Sequence, residues 1–110
     1  MILLKSNDKK KCFGEIKITG SKSETNRLLI LKELYKKISL SNISNSDDSN
    51  VMQNALNSKD SIIDIGHAGT AMRFLTSFFA ISEGREIVLT GSDRMKQRPI
   101  KILVNPLNDL

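Results

Sequence analysis

Residues Glu15–Thr19 read E-I-K-I-T, polar and apolar in strict alternation, and that period of two predicts a half-buried strand. Gly20 interrupts it. The next four residues, Ser21-Lys22-Ser23-Glu24, have the S-x-x-E spacing of a capping box, which marks a helix start. Leu28, Ile30, Leu31, Leu34 and Tyr35 form its expected apolar face, with Lys32, Glu33 and Lys36 opposite. Ile38–Ile43 alternates again and predicts a second strand. Ser46-Asp47-Asp48 opens a helix, because carboxylates favour the positive end of the helix dipole, and Val51, Met52, Ala55 and Leu56 give it a buried side. Ser61–Ile65 predicts a third strand. Gly66–Thr70 leads into Ala71–Ile81, a helix so apolar that burial on most sides is expected. Glu86–Thr90 is a fourth strand, and a last helix is expected to start at Pro99, a favoured first-turn residue. Strands alternating with helices define an α/β class. A strand ending near glycine, then a polar turn, then a helix recurs at Gly20, Gly66 and Gly91.

Composition narrows the possibilities. The longest apolar run, around Phe78–Ile81, is far short of the roughly 18 residues a membrane helix needs. At the N-terminus the apolar M-I-L-L precedes the basic run and no small-residue cleavage site follows, unlike a signal peptide. One cysteine, Cys12, permits no internal disulfide or CxxC metal site, and the single histidine, His67, makes a zinc site unexpected. The expectation is a reducing, cytoplasmic setting without a metal. Lys and Arg number 17 against 12 Asp and Glu, a net charge of +5 that suits an anionic partner. With 5% aromatic residues and no Trp, little is available to stack nucleic-acid bases.

Three basic clusters fall at turns before expected helices. In Gly20-Ser21-Lys22-Ser23, with Arg27 a turn later, the glycine lets a ligand approach the backbone and the helix start favours an anion. Gly66-His67-Ala68-Gly69-Thr70 makes a similar cradle, and Arg73 stands in the first turn of its helix, where the dipole disfavours a cation. In Arg94-Met95-Lys96-Gln97-Arg98-Pro99, the proline favours an extended Arg98, so Arg94, Lys96 and Arg98 are expected to project to one side. Taken alone, the first cluster reads more readily as a capped helix with solvated basic residues, the second equally as small residues that let a buried helix pack closely, and the third more readily as a solvated basic loop. Asp47 and Asp48 are read as dipole compensation rather than a catalytic pair, and Lys9-Lys10-Lys11 as a solvated turn.

Together the blocks are more specific. G-S-K-S-x-T-N-R (Gly20–Arg27), N-S-D-D (Asn45–Asp48), G-x-A-G-T-A-M-R (Gly66–Arg73) and L-T-G-x-x-R-M-K-x-R-P-I (Leu89–Ile100) occur in the order found in the 5-enolpyruvylshikimate-3-phosphate synthase family, which the chain resembles from about Gly14 to Leu107. The resemblance implies the enolpyruvyl transferase fold, an inside-out α/β barrel built from repeated α/β units. Residues 1–20 would hold the first strand or strands of one domain, and residues 21–110 the first part of a substrate-binding α/β domain. The implied reaction joins phosphoenolpyruvate to the 5-hydroxyl of shikimate 3-phosphate and releases phosphate, with no cofactor, metal, nucleic acid or membrane. Lys22, the implied catalytic residue, would contact both substrates. Ser23 and Arg27 would hold shikimate 3-phosphate, and Gly69, through its backbone, and Arg98 would hold phosphoenolpyruvate. The related UDP-N-acetylglucosamine enolpyruvyl transferases are the nearer alternative, and a small basic module gripping nucleic-acid phosphates is the alternative of a different class. The chain departs from the family pattern at His67, where Asn is usual, at Phe74, where Pro is frequent, and in a shorter stretch between Asp48 and Gly66. Family members are roughly four times longer and monomeric. The 110 residues are therefore expected to be a part, inactive alone and prone to self-association.

Overall fold

A computed structural model describes residues 1–5 and 13–110. Cys12 and the Lys9–Lys11 run lie outside the described residues. The structure mixes helix and strand, as the alternation requires. Its centre is a β-α-β unit: β1 (Ile62–Asp64), helix α3 (Gly69–Ala80) and β2 (Val88–Thr90). The two strands pair in parallel, with Ile62 opposite Val88, Ile63 opposite Leu89 and Asp64 opposite Thr90. The ladder extends at each end, Val88 N donating to Ser61 O at 2.7 Å and Ile65 N to Thr90 O at 3.0 Å. Only one face of β1 is covered: Ile63 is buried while Ile62 and Asp64 are exposed.

Helix α3 runs behind the strands and buries Ala71, Leu75 and Phe79, a four-residue spacing that keeps one stripe on one side. Burial on most sides was the expectation, but Arg73 and Ala80 are exposed. The stripe meets Met52 and Ala55 of α2 (Asp47–Asn57), together with Ile63, Ile65, Ala68 and Met95. Helix α1 (Lys22–Leu34) packs on α2 and α3, and α5 (Lys101–Asn108) on α3.

The sequence-predicted caps are in place. Ser21 Oγ accepts from Glu24 N at 3.5 Å, and Ser46 Oγ accepts from Ser49 N at 3.4 Å. The face that α1 turns inward is not the expected one. Leu31, Leu34 and Tyr35 are exposed, and the buried residues are Thr25, Asn26 and Leu29. The reason is chemical: the neighbouring segment offers polar partners. Ser44 N donates to Thr25 Oγ1 at 2.9 Å, and Ser49 Oγ donates to Asn26 Oδ1 at 3.0 Å.

Three further expectations are corrected. Neither Glu15–Thr19 nor Ile38–Ile43 is a strand. Alternation suits a sheet, but a strand needs a neighbour, and Ile16 and Ile18 stand exposed without one among the described residues. Residues 38–43 instead lead into a turn in which Asn42 has φ +49° and its carbonyl accepts from Gly20 N at 2.9 Å. The last helix starts not at Pro99 but at Lys101, after the short helix α4 (Asp93–Lys96). Ser92 nucleates α4, its Oγ accepting from Met95 N at 3.3 Å.

Candidate anion-binding site

The first cluster sits at the start of α1. Lys22 Nζ lies 3.5 Å from Asp48 Oδ1 at the start of α2, so Asp48 has a second role beside the helix dipole. Arg27 Nη1 curls back to donate to Ser23 O at 2.8 Å, and its Cζ lies 5.7 Å from the centroid of the Phe74 ring on α3. Phe74 therefore presents its ring face to the arginine of the first cluster, a cation–π contact that a proline there could not make.

The second cluster opens α3. Gly66 has φ +54°, a conformation that favours glycine, and its N–H donates to Asp64 Oδ1 at 2.8 Å. The helix begins at Gly69 with Ala68 as N-cap, and no side chain caps it. Thr70 lies inside the first turn. Gly69 N donates to His67 O at 2.9 Å, so that amide is engaged within the turn. Arg73 Nη1 donates to Gly69 O at 3.3 Å, which folds its charge back over the same turn.

The third cluster departs from its expected shape. Arg94 and Lys96 are inside α4, so Arg94, Lys96 and Arg98 do not form an extended row. The Ser92 cap overrides the proline, whose restriction reaches back only to Arg98. Arg98 N donates to Met95 O at 3.0 Å, and its side chain returns to the start of α3. A Cβ at Gly69 would stand 3.1 Å from Arg98 Cζ and closer still to Nη1. Gly69 is thus small for a local reason: it leaves the space that a guanidinium occupies.

The fold brings the second and third clusters together directly, and joins the first to them through α3. Arg98 meets α3 at Gly69 and Arg27 meets it at Phe74, five residues later, or about 7.5 Å along the helix. No hydrogen bond or ion pair links Lys22 to Gly69 or Arg98 among the described residues. Sequence reasoning passed over Asn26. This residue is fully buried, it receives the Ser49 hydroxyl, and its Nδ2 has no partner among the described residues. The signal available was its place between Lys22 and Arg27 in the first block.

An uncapped helix start, a guanidinium seated on a glycine and one further basic turn thus lie around one helix, α3. The chain belongs to the EPSP synthase (3-phosphoshikimate 1-carboxyvinyltransferase) family, whose model matches residues 49–110. Among curated relatives, a 3-phosphoshikimate 1-carboxyvinyltransferase from Bacteroides fragilis strain YCH46 is 49% identical over 96 residues, covering 86% of this chain and 23% of the relative. Enzymes of the same name from Pasteurella multocida strain Pm70 and Vibrio vulnificus strain YJ016 are 42% and 38% identical, covering 86% and 91% of this chain and 29% of each relative. The chain spans about a quarter of the length of these relatives. The Pasteurella alignment occupies 126 positions for the same 86% of this chain that the Bacteroides alignment fits into 96, so the Pasteurella enzyme carries residues that this chain lacks. No solved structure matches the chain.

Proposed function

We propose that the protein to which this chain contributes transfers the enolpyruvyl group of phosphoenolpyruvate to the 5-hydroxyl of shikimate 3-phosphate and releases phosphate. The observation that carries this reading is the seating of Arg98 on Gly69 at the uncapped start of α3. It places a forked cation beside a helix N-terminus, a combination suited to a phosphate or carboxylate. In this reading Gly69 and Arg98 hold phosphoenolpyruvate, Ser23 and Arg27 hold shikimate 3-phosphate, and Lys22 touches both and acts at the reacting centre. Asp48 keeps the Lys22 ammonium in place until substrate displaces it, which supports a role for this lysine at an anion site. No cofactor enters the reaction. The chemistry adds the hydroxyl oxygen to C2 of an enol phosphate, with a proton to C3, and then eliminates phosphate with loss of a C3 proton to leave an enol ether, so it needs charge stabilisation and proton transfer alone.

The reading extends to architecture. In the complete enzyme residues 1–20 belong to one domain and residues 21–110 form the first part of the other, each domain an inside-out barrel of repeated α/β units. The β1-α3-β2 unit supports such a repeat. The complete enzyme is a cytoplasmic monomer. No helix among the described residues is long and apolar enough to cross a membrane.

Steady-state kinetics of the complete enzyme test the assignment. Arg98→Ala is expected to raise the KM for phosphoenolpyruvate by about 30-fold or more, the cost of one lost charge-assisted contact, and to change that for shikimate 3-phosphate far less. Equal losses for the two substrates would count against it.

A further inference from the structure

Resting on that reading, we propose that Asn26 is a positioning residue: through Ser49 it sets Asp48 against Lys22, and so fixes the place of the Lys22 ammonium. Lys22 and Asn26 stand four residues apart on α1, on one side of the helix and about 6 Å apart along its axis. Their partners on α2 are neighbours in sequence. Lys22 Nζ meets Asp48 Oδ1 at 3.5 Å, and Ser49 Oγ donates to Asn26 Oδ1 at 3.0 Å. The two contacts are therefore adjacent rungs across the seam between α1 and α2. They differ in what they can hold. The Lys22 and Asp48 side chains are 48% and 24% exposed, and an ion pair open to water is too weak to align two helices. Asn26 and Ser49 are fully buried, where no water competes for their hydrogen bond. Leu29 also joins the helices, through the core it shares with Met52 and Ala55. Apolar contact is non-directional, whereas the hydrogen bond fixes which atoms face one another.

The bond is supported from behind. Ser46 Oγ donates to Ser49 Oγ at 3.1 Å, Ser46 N donates to Ser44 Oγ at 3.1 Å, and Ser44 N donates to Thr25 Oγ1 at 2.9 Å. This run of polar contacts leaves α1 at Thr25, passes through the turn at residues 44–49, and returns to α1 at Asn26. Thr25 and Ser44 are buried as well. Such a circuit holds the start of α2, and Asp48 with it, in one place relative to α1. Stability alone does not account for the asparagine. Its Nδ2 is buried with no partner among the described residues, a cost that an apolar side chain at this position would remove. What an apolar side chain would lose is the acceptor that orients Ser49.

The test is made on the complete enzyme with Ser49→Ala, with Ser49→Ala and Asn26→Leu together, and with Ser49→Thr, which keeps the hydroxyl. For each, the melting temperature, the kinetic constants and the rate of Lys22 acylation by acetic anhydride are read. Peptide mass spectrometry follows the acylation, with Lys32, exposed on the same helix, as internal reference. Ser49→Ala is expected to lower kcat by about 10-fold or more, the effect of a displaced reacting group, with the KM for phosphoenolpyruvate changed far less. Lys22, no longer held by Asp48, is expected to acylate faster relative to Lys32. The double variant leaves neither partner unpaired, and it carries the same comparisons if Ser49→Ala does not fold. Its melting temperature should recover while kcat stays low; recovery of both would reduce Asn26 to a structural role and overturn the proposal. Ser49→Thr is expected to keep most of kcat. Adding Ser49→Ala to Asp48→Asn should cost little further kcat, because the two act in series, and losses that multiply would overturn the proposal. Unchanged Lys22 acylation in Ser49→Ala, in an enzyme whose parent transfers the enolpyruvyl group, overturns the positioning role and leaves the functional reading standing. Faster acylation in an enzyme whose parent transfers no such group keeps the positioning role and removes the reading.

Discussion

At the scale of single residues, Gly69 shows how a small side chain becomes a functional one. Its missing Cβ is the space in which the Arg98 guanidinium rests. Gly69→Ala need not strain the backbone, because φ is helical there and the clashing atoms end a flexible, exposed side chain. The expected outcome is a displaced Arg98, a weakened phosphoenolpyruvate KM, an unchanged shikimate 3-phosphate KM, and a thermal midpoint close to that of the parent. Kinetics of the complete enzyme with each substrate varied in turn, alongside a melting curve, check this. Phe74 acts differently. It is the ring on which Arg27 lies, so Phe74→Leu should loosen Arg27 and raise the shikimate 3-phosphate KM in preference to that of phosphoenolpyruvate. The two substitutions lie five residues apart on one helix and are expected to act on different substrates.

At the scale of elements, α1 and α2 are held by buried polar contacts as well as by Leu29, which shares the apolar core with Met52 and Ala55. Asn26 and Ser49 are both fully buried and bonded to each other, with Ser46 Oγ donating to Ser49 Oγ at 3.1 Å. Ser49→Ala removes the donor to Asn26 and leaves a buried carbonyl unpaired, at an expected cost of about 1–3 kcal/mol. Combining it with Asn26→Leu, which makes both partners apolar, should restore part of that loss. Urea unfolding of the single and double variants measures the difference, and greater damage from the double variant would show that packing, not pairing, holds the helices. This clamp explains which parts of the fold could be read from sequence. The starts of α1 and α2 were legible because Ser21 and Ser46 cap them from within the same turn. β1 and β2 were legible because their apolar runs are short and bounded by turns. The inward face of α1 was not legible, because Thr25 and Asn26 are buried only by virtue of partners 19 and 23 residues away. The absence of strands at 15–19 and 38–43 was hidden for the same reason: alternation is local and strand pairing is not. For the site, the residue types and the helix starts could be read directly, whereas the meeting of Gly69 with Arg98 rests on the β1-α3-β2 crossover and on Ser92 stopping the extended run.

At the scale of the molecule, the described residues pack around one small core and leave much apolar surface uncovered. Leu34, Tyr35, Ile62, Ile81, Val88 and Ile102 are all exposed, as are Phe13, Ile16 and Ile18. The radius of gyration is 18.3 Å, against about 13 Å for a compact domain of this length. Surface of this kind associates in water, so sedimentation velocity on the isolated chain is expected to show species larger than a monomer, with the fraction rising with concentration. Catalysis by the isolated chain is not expected. Enolpyruvyl transfer needs a proton donor and an acceptor at the reacting carbons and a site closed against water. Two carboxylates beside the basic clusters already have partners: Asp48 pairs with Lys22 and Asp64 accepts from the Gly66 amide. Arg98, Arg94 and His67 are exposed, so water competes for any bound anion. With both substrates present, the purified chain should release no phosphate beyond a Lys22→Ala control, while still binding phosphate weakly. Sustained release above that control would make these residues a complete catalytic unit, with the proton-transfer groups among the chain's own side chains.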